Sequence, residues 1–153
     1  MKKRSSYRQR PVLLNPLAPM MPMGKERATR CMLAYYTSLG CIISNQFPGA
    51  SEWRDLADMC NVVERLVRRG DYLAAEVMPL IDAASAGMTE AAHEFERHQQ
   101  MRLSLPAIAA LQELLNLHQE FLEAFSEREV QRVIAETRID IEEARRNKNT
   151  VTL

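Results

Sequence analysis

Reactive chemistry is what this chain has least of. It contains no C-x-x-C pair, no G-x-S-x-G turn and no glycine-rich phosphate loop, so no serine or cysteine carries the surroundings that mark an activated nucleophile. The cysteines Cys31, Cys41 and Cys60 are odd in number. On one helix, Cys31 and Cys41 would lie about 15 Å apart at the usual rise per residue, beyond the reach of a disulfide. Reduced, buried thiols among apolar neighbours are expected, and such thiols are inert. Long apolar runs are missing too. Pro11, Pro16, Pro19 and Pro22 cut the segment Val12–Met23, which leaves neither a signal-peptide core nor a membrane span. No membrane contact is expected, and a cytoplasmic protein is. Strand-like alternation and internal repeats are absent as well.

What is present is an uneven distribution of charge. Residues 1–30 hold Lys2, Lys3, Arg4, Arg8, Arg10, Lys25, Arg27 and Arg30 against the single acid Glu26. The rest keeps twelve of the twenty bases but nineteen of the twenty acids, so a formal net charge of zero conceals +7 at one end and −7 elsewhere. Such a dipole biases what the surface can approach. With 153 residues, 46% hydrophobic and 26% charged, the chain is long enough for one domain with a core of its own.

The pattern predicts an all-α fold, a five- to six-helix bundle carrying an extended basic, Pro-rich N-terminal arm. Residues 1–24 form the arm, 25–146 the bundle and 147–153 a flexible tail. Within the arm, proline fixes φ and pushes each preceding residue out of the α region. Its apolar residues Val12, Leu13, Leu14, Leu17, Met20, Met21 and Met23 suggest a segment that lies on the body or on a partner. Helix Lys25–Ser44 has apolar residues on most faces and is expected to be largely buried. Ser51 offers an N-cap for a helix ending before Gly70, with Trp53 as a core anchor. Asp71 can cap a helix Tyr72–Ala86, which Pro79 kinks or stops; Gly87 ends it and Thr89 caps a polar helix to about Gln100. Ser104 and Pro106 open the next helix. The capping box Ser126-Glu127-Arg128-Glu129 opens the last, whose apolar side is Val130, Val133, Ile134, Thr137, Ile139 and Ile141.

Candidate sites are few. The tip Lys2, Lys3, Arg4, Tyr7, Arg8 and Arg10 clusters cations with one aromatic able to stack on a base, the composition of a phosphate-binding arm. Glu90-x-x-His93 matches half of a helical di-iron motif, but the second motif and its carboxylates are wanting, so a surface histidine is expected. His93-Glu94 also misses H-E-x-x-H by one residue. His118 reads as a core-edge histidine. Arg65, Arg68 and Arg69 could hold an anion, though their place at a helix C-terminus accounts for them. Between Tyr72 and Ala92 there is no basic residue, which argues against a helix-turn-helix reader. No metal, no cofactor and no catalytic residue is expected.

The start Lys2-Lys3-Arg4-Ser5-Ser6-Tyr7-Arg8-Gln9-Arg10-Pro11-Val12 resembles the K-R-S-x-Y-R-x-[KR]-P-V opening of small proteins of phages, prophages and plasmids of Gram-negative bacteria. Asp58–Leu66 is similar to the N-M-x-E-A-L helix of that group. Leu114–Glu120 is similar to its M-x-L-H-D-x-x helix, which leads into an R-E-V/M-x-x-A/V run. The arm after Val12 departs from the group in its richness in Met and Pro. The resemblance implies a mobile-element origin and an all-helical fold, and transfers no site residues. Taken together, the expected function is non-enzymatic: binding of nucleic acid through Lys2–Arg10 in a bacterial host cell. The alternative is a protein–protein module that docks on an acidic or apolar surface of a host or phage protein through Val12, Leu13, Leu14, Leu17, Met20 and Met21. A further option is self-association, the arm of one subunit lying across another.

Overall fold

The computed structural model describes residues 20–69 and 74–147, and among these the fold is all-helical. Five helices follow one another: α1 Lys25–Ser44, α2 Ala50–Arg69, α3 Ala74–His98, α4 Leu105–Ala124 and α5 Glu127–Arg146. Helix α1 packs on α2 and α4, α3 packs on the same two, and α2 touches α4 across the middle. These four enclose a core in which Met32, Leu56, Met59, Ile81, Leu111, Leu114 and Leu115 are at most 2% exposed. Helix α5 leans chiefly on α2. A smaller apolar cluster, Val62, Leu66 and Val133, seals that seam.

The helix ends show how local chemistry sets the elements. Helix α1 closes with Asn45 in the left-handed region, the Asn45 N–H on the Ile42 carbonyl and the Gln46 N–H on the Cys41 carbonyl. This pairing satisfies carbonyls that the helix leaves open. Helix α4 starts after Ser104 with Pro106 in its first turn, where a missing N–H costs nothing. Helix α5 opens with the expected capping box: the Glu129 N–H donates to Ser126 Oγ, and the Ser126 N–H donates to the Glu129 carboxylate at 2.8 Å. The hydroxyl of Ser126 holds the Glu129 carboxyl below its usual range.

Several expectations are corrected. Helix α2 begins at Ala50 rather than after Ser51, because Gly49 takes the capping place and its N–H is received by Glu52 at 2.8 Å. The predicted pair Tyr72–Ala86 and Thr89–Gln100 is one continuous helix, α3. Pro79 is tolerated because it lies in the second turn, where both it and Ala75, whose carbonyl loses a partner, face water. Gly87 does not end the helix; it lets α3 approach α4, since a Cβ built there would stand 2.2 Å from the Ala107 Cβ. Ile139 points outward, 57% exposed, while Val130, Val133 and Thr137 form the buried side of α5. Helix α1 is not largely buried. Ala28, Met32, Ser38, Leu39 and Ile42 face the core, and Leu33 and Ile43 face solvent. Cys31 is exposed and Cys41 half-buried, leaving only Cys60 of the three within the core. Gly70, Asp71, Tyr72 and the tail beyond Asn147 lie outside the described residues.

Candidate functional site

Most of the arm predicted to bind a partner, from Lys2 to Leu17, lies outside the described residues. Met20 and Met21 are described, and they are 59% and 57% exposed. The chain then turns onto the body. The Met23 N–H donates to the Phe125 carbonyl at 3.0 Å, and Pro22 pairs with Ser126. The arm therefore leaves the bundle at the corner between α4 and α5, with Met23 packed partly against the core.

A groove of about 570 Å³ runs over α2 between α3 and the second half of α5. Trp53, Ala57, Cys60 and Met88 give it an apolar side, and Asp58, Glu64, Arg65, Arg68, Asp140 and Arg145 give it charge. The Trp53 indole N–H donates to the Met88 carbonyl at 2.7 Å and braces α2 against α3. Here the arginines read as helix-end caps do something else. Arg65 donates to Glu136 at 3.1 Å and to Asp140, and Arg69 reaches Glu136 at 2.9 Å. Arg132 approaches the same carboxylate at 3.0 Å, and these guanidinium contacts hold the Glu136 carboxyl below its usual range. Arg68 pairs within its own helix with Glu64. Arg65 and Arg69 thus tie α2 to α5. Burial pushes the Asp58 carboxyl up despite Arg138 nearby.

The buried titratable groups are poorly suited to proton transfer or attack. Burial pushes the Cys60 thiol up to about 12, so it stays protonated at neutral pH. His118 lies 3% exposed against the Tyr35 ring, centroids 5.6 Å apart, and its Nδ1 has no hydrogen-bond partner among the described residues. Burial lowers its pKa to about 4, which makes it a neutral core side chain. His93 is exposed, its Nδ1 3.6 Å from Glu96. Among the described residues, no three His, Cys, Asp or Glu side chains come together as metal ligands, and no helix is long and apolar enough to cross a membrane.

The surface that sequence reading missed is the outer side of α1. Leu33 is 65% exposed, Tyr36 38% and Ile43 48%, and just past the helix Phe47 is fully exposed. Gly40 stands between them, with none of the described residues within 4 Å of where its Cβ would be. Within α1 the spacing 33, 36, 40, 43 alternates three and four, the period of a coiled-coil seam, and Phe47 follows beyond the helix end at Ser44. No charged residue occurs from 31 to 51. Phe47 holds φ at +49°, a conformation that costs a bulky residue on the order of 1–3 kcal/mol, and it leaves its ring in water. Monomeric proteins keep scattered apolar residues on the surface, but a contiguous uncharged stripe marks a contact surface.

No family of known proteins matches the chain, and neither does any curated protein or solved structure.

Proposed function

We propose that this chain is a non-enzymatic binding module of a phage or other mobile element, acting through contact with protein. The observation that carries the reading is the uncharged outer stripe of α1, Leu33, Tyr36, Gly40 and Ile43 with Phe47 beyond it. Its four large side chains are all exposed, from 38% at Tyr36 to 102% at Phe47. Met20 and Met21 add adaptable thioether side chains just ahead of the helix. The test is capture of bacterial proteins on the immobilised full chain, compared with Ile43→Asp. Loss of the captured species in the variant is the expected result, and unchanged capture sinks the reading.

A second reading, nucleic-acid binding through Lys2, Lys3, Arg4, Tyr7, Arg8 and Arg10, is favoured by the eight bases and single acid of residues 1–30. Neutralising phosphates releases counterions, so affinity should fall steeply with salt. Fluorescence anisotropy with labelled DNA and RNA at two salt concentrations, with a variant lacking residues 1–10 alongside, decides it. Binding that survives the deletion rules the arm out.

A further inference from the structure

We infer that Cys31 and Met23 form a soft-metal site. It binds one Cu(I) ion through the Cys31 thiolate, the Met23 thioether and a third sulfur from Met20 or Met21. The site lies at the corner where the arm meets α1, and nothing in it depends on the apolar stripe of that helix.

The backbone brings the two sulfurs together. Gly24, at φ +76°, turns the chain from the arm straight into α1, a conformation that glycine adopts and other residues avoid. The Met23 N–H is held by the Phe125 carbonyl at 3.0 Å, and Pro22 pairs with Ser126. So anchored, Met23 reaches along the start of α1, and its Sδ stands 3.9 Å from Cys31 Sγ. Two sulfurs bound to one ion at about 2.3 Å each, with an angle of about 120°, stand about 4 Å apart. The pair already has the spacing that a shared three-coordinate ion requires. Packing does not account for the pairing. Cys31 is exposed, and Met20 and Met21 leave their thioethers largely in water, where an apolar side chain gains little.

The donor set selects the ion. Residues 20–31 hold three methionines and one cysteine, no His or Asp, and the single Glu26, which Arg30 engages at 2.8 Å. Hard ions such as Mg(II) and Ca(II) want oxygen ligands, and Zn(II) wants imidazole or several thiolates. Thiolate with thioether is the set that Cu(I) prefers. Such a site needs no cluster of His, Cys, Asp and Glu, and none occurs among the described residues. The nearby cation Arg27 is compensated by Glu127 at 2.7 Å, as Arg30 is by Glu26. On binding, the Cys31 S–H proton passes to solvent and the sulfur lone pair forms the S–Cu bond. Copper enters and stays as Cu(I), so no electron is transferred.

The test is an anaerobic titration of the reduced full chain with Cu(I) against bicinchoninate, a chelator coloured only while it holds the ion. One Cu(I) per chain should leave the chelator. Cys31→Ser should abolish the transfer, whereas Cys41→Ser, which removes a thiol elsewhere on α1, should leave it unchanged. Met23→Leu keeps the volume and removes the sulfur. It should weaken binding at least about tenfold, a loss that even an outer partner of a metal ligand can bring. Met20→Leu combined with Met21→Leu should weaken it similarly, and circular dichroism should show the helices intact in every variant. No loss of colour overturns the inference, and so does binding that survives Cys31→Ser. Binding as tight in Met23→Leu overturns it too, because the thiol then acts alone. One ion per two chains does the same, since the second sulfur then belongs to another copy. Unchanged binding in the Met20, Met21 double variant overturns the third ligand. Displacement of Cu(I) by an equal concentration of Zn(II) overturns the assignment to a soft ion.

Discussion

Helices α1 and α5 are both twenty residues long and both lie at the edge of the bundle, yet they meet water in opposite ways. Helix α5 covers its outer side with Arg, Glu and Gln, and its Glu136 gathers Arg65, Arg69 and Arg132. Helix α1 has a single ion pair to another helix among its described residues, Arg27 to Glu127 at 2.7 Å, and then no charge for three turns and more. Both inner faces are apolar, as the core demands. The difference lies outside, where nothing among the described residues requires α1 to be bare. Outer composition is therefore the better guide to function, and inner composition to fold.

Four measurements separate the two helices and the two sides of α1. The largest effect belongs to the inner side of α1. Met32 is completely buried, so Met32→Ala should cost about 2–5 kcal/mol in urea unfolding. Next comes the α1–α4 contact, through pH. His118 is held neutral in the fold with its pKa lowered from 6.5 to about 4. Between those values the unfolded chain binds the proton and the folded one does not. Stability should then fall as pH drops from about 6.5 toward 4, by roughly 3 kcal/mol in all. His118→Phe should flatten that slope, a result read from urea midpoints across the same range. On α5, Ser126→Ala removes the capping hydroxyl and should cost about 1 kcal/mol, visible as a lower Tm. The smallest effect is on the outer side of α1. Gly40→Ala should stabilise the chain by about 0.5–1 kcal/mol, because none of the described residues stands within 4 Å. A loss there would mean that α1 is packed more tightly than α5 on both sides.

Much of the fold could be read from the residues, for reasons that are local. Ser126-x-x-Glu129 declares a helix start because both partners of the cap lie within four residues. Period and caps together placed α1, α4 and α5 to within a residue or two. What escaped depends on neighbours distant in sequence. Gly87 looks like a stop until Ala107 of α4 is beside it. Arg65 and Arg69 look like caps until Glu136, some seventy positions on, is opposite them. The outer stripe of α1 is legible in its three-four spacing but hidden by its richness: apolar residues on most faces of the helix suggest burial. Only the packing of α2 and α4 shows which of them the bundle leaves out. The basic tip Lys2–Arg10 was read from charge alone, which names a class of partner without any geometry.

Trp53 has a use of its own. It is the one tryptophan of the chain, and its indole N–H is bound to the Met88 carbonyl at 2.7 Å across the α2–α3 seam. Its ring also borders the groove over α2. The protein thus carries a built-in optical gauge: parting of α2 and α3 frees the indole and admits water, and its emission moves to the red without any attached dye. A denaturant titration can therefore follow the α2–α3 seam in the emission of one residue, while circular dichroism follows the helices as a whole.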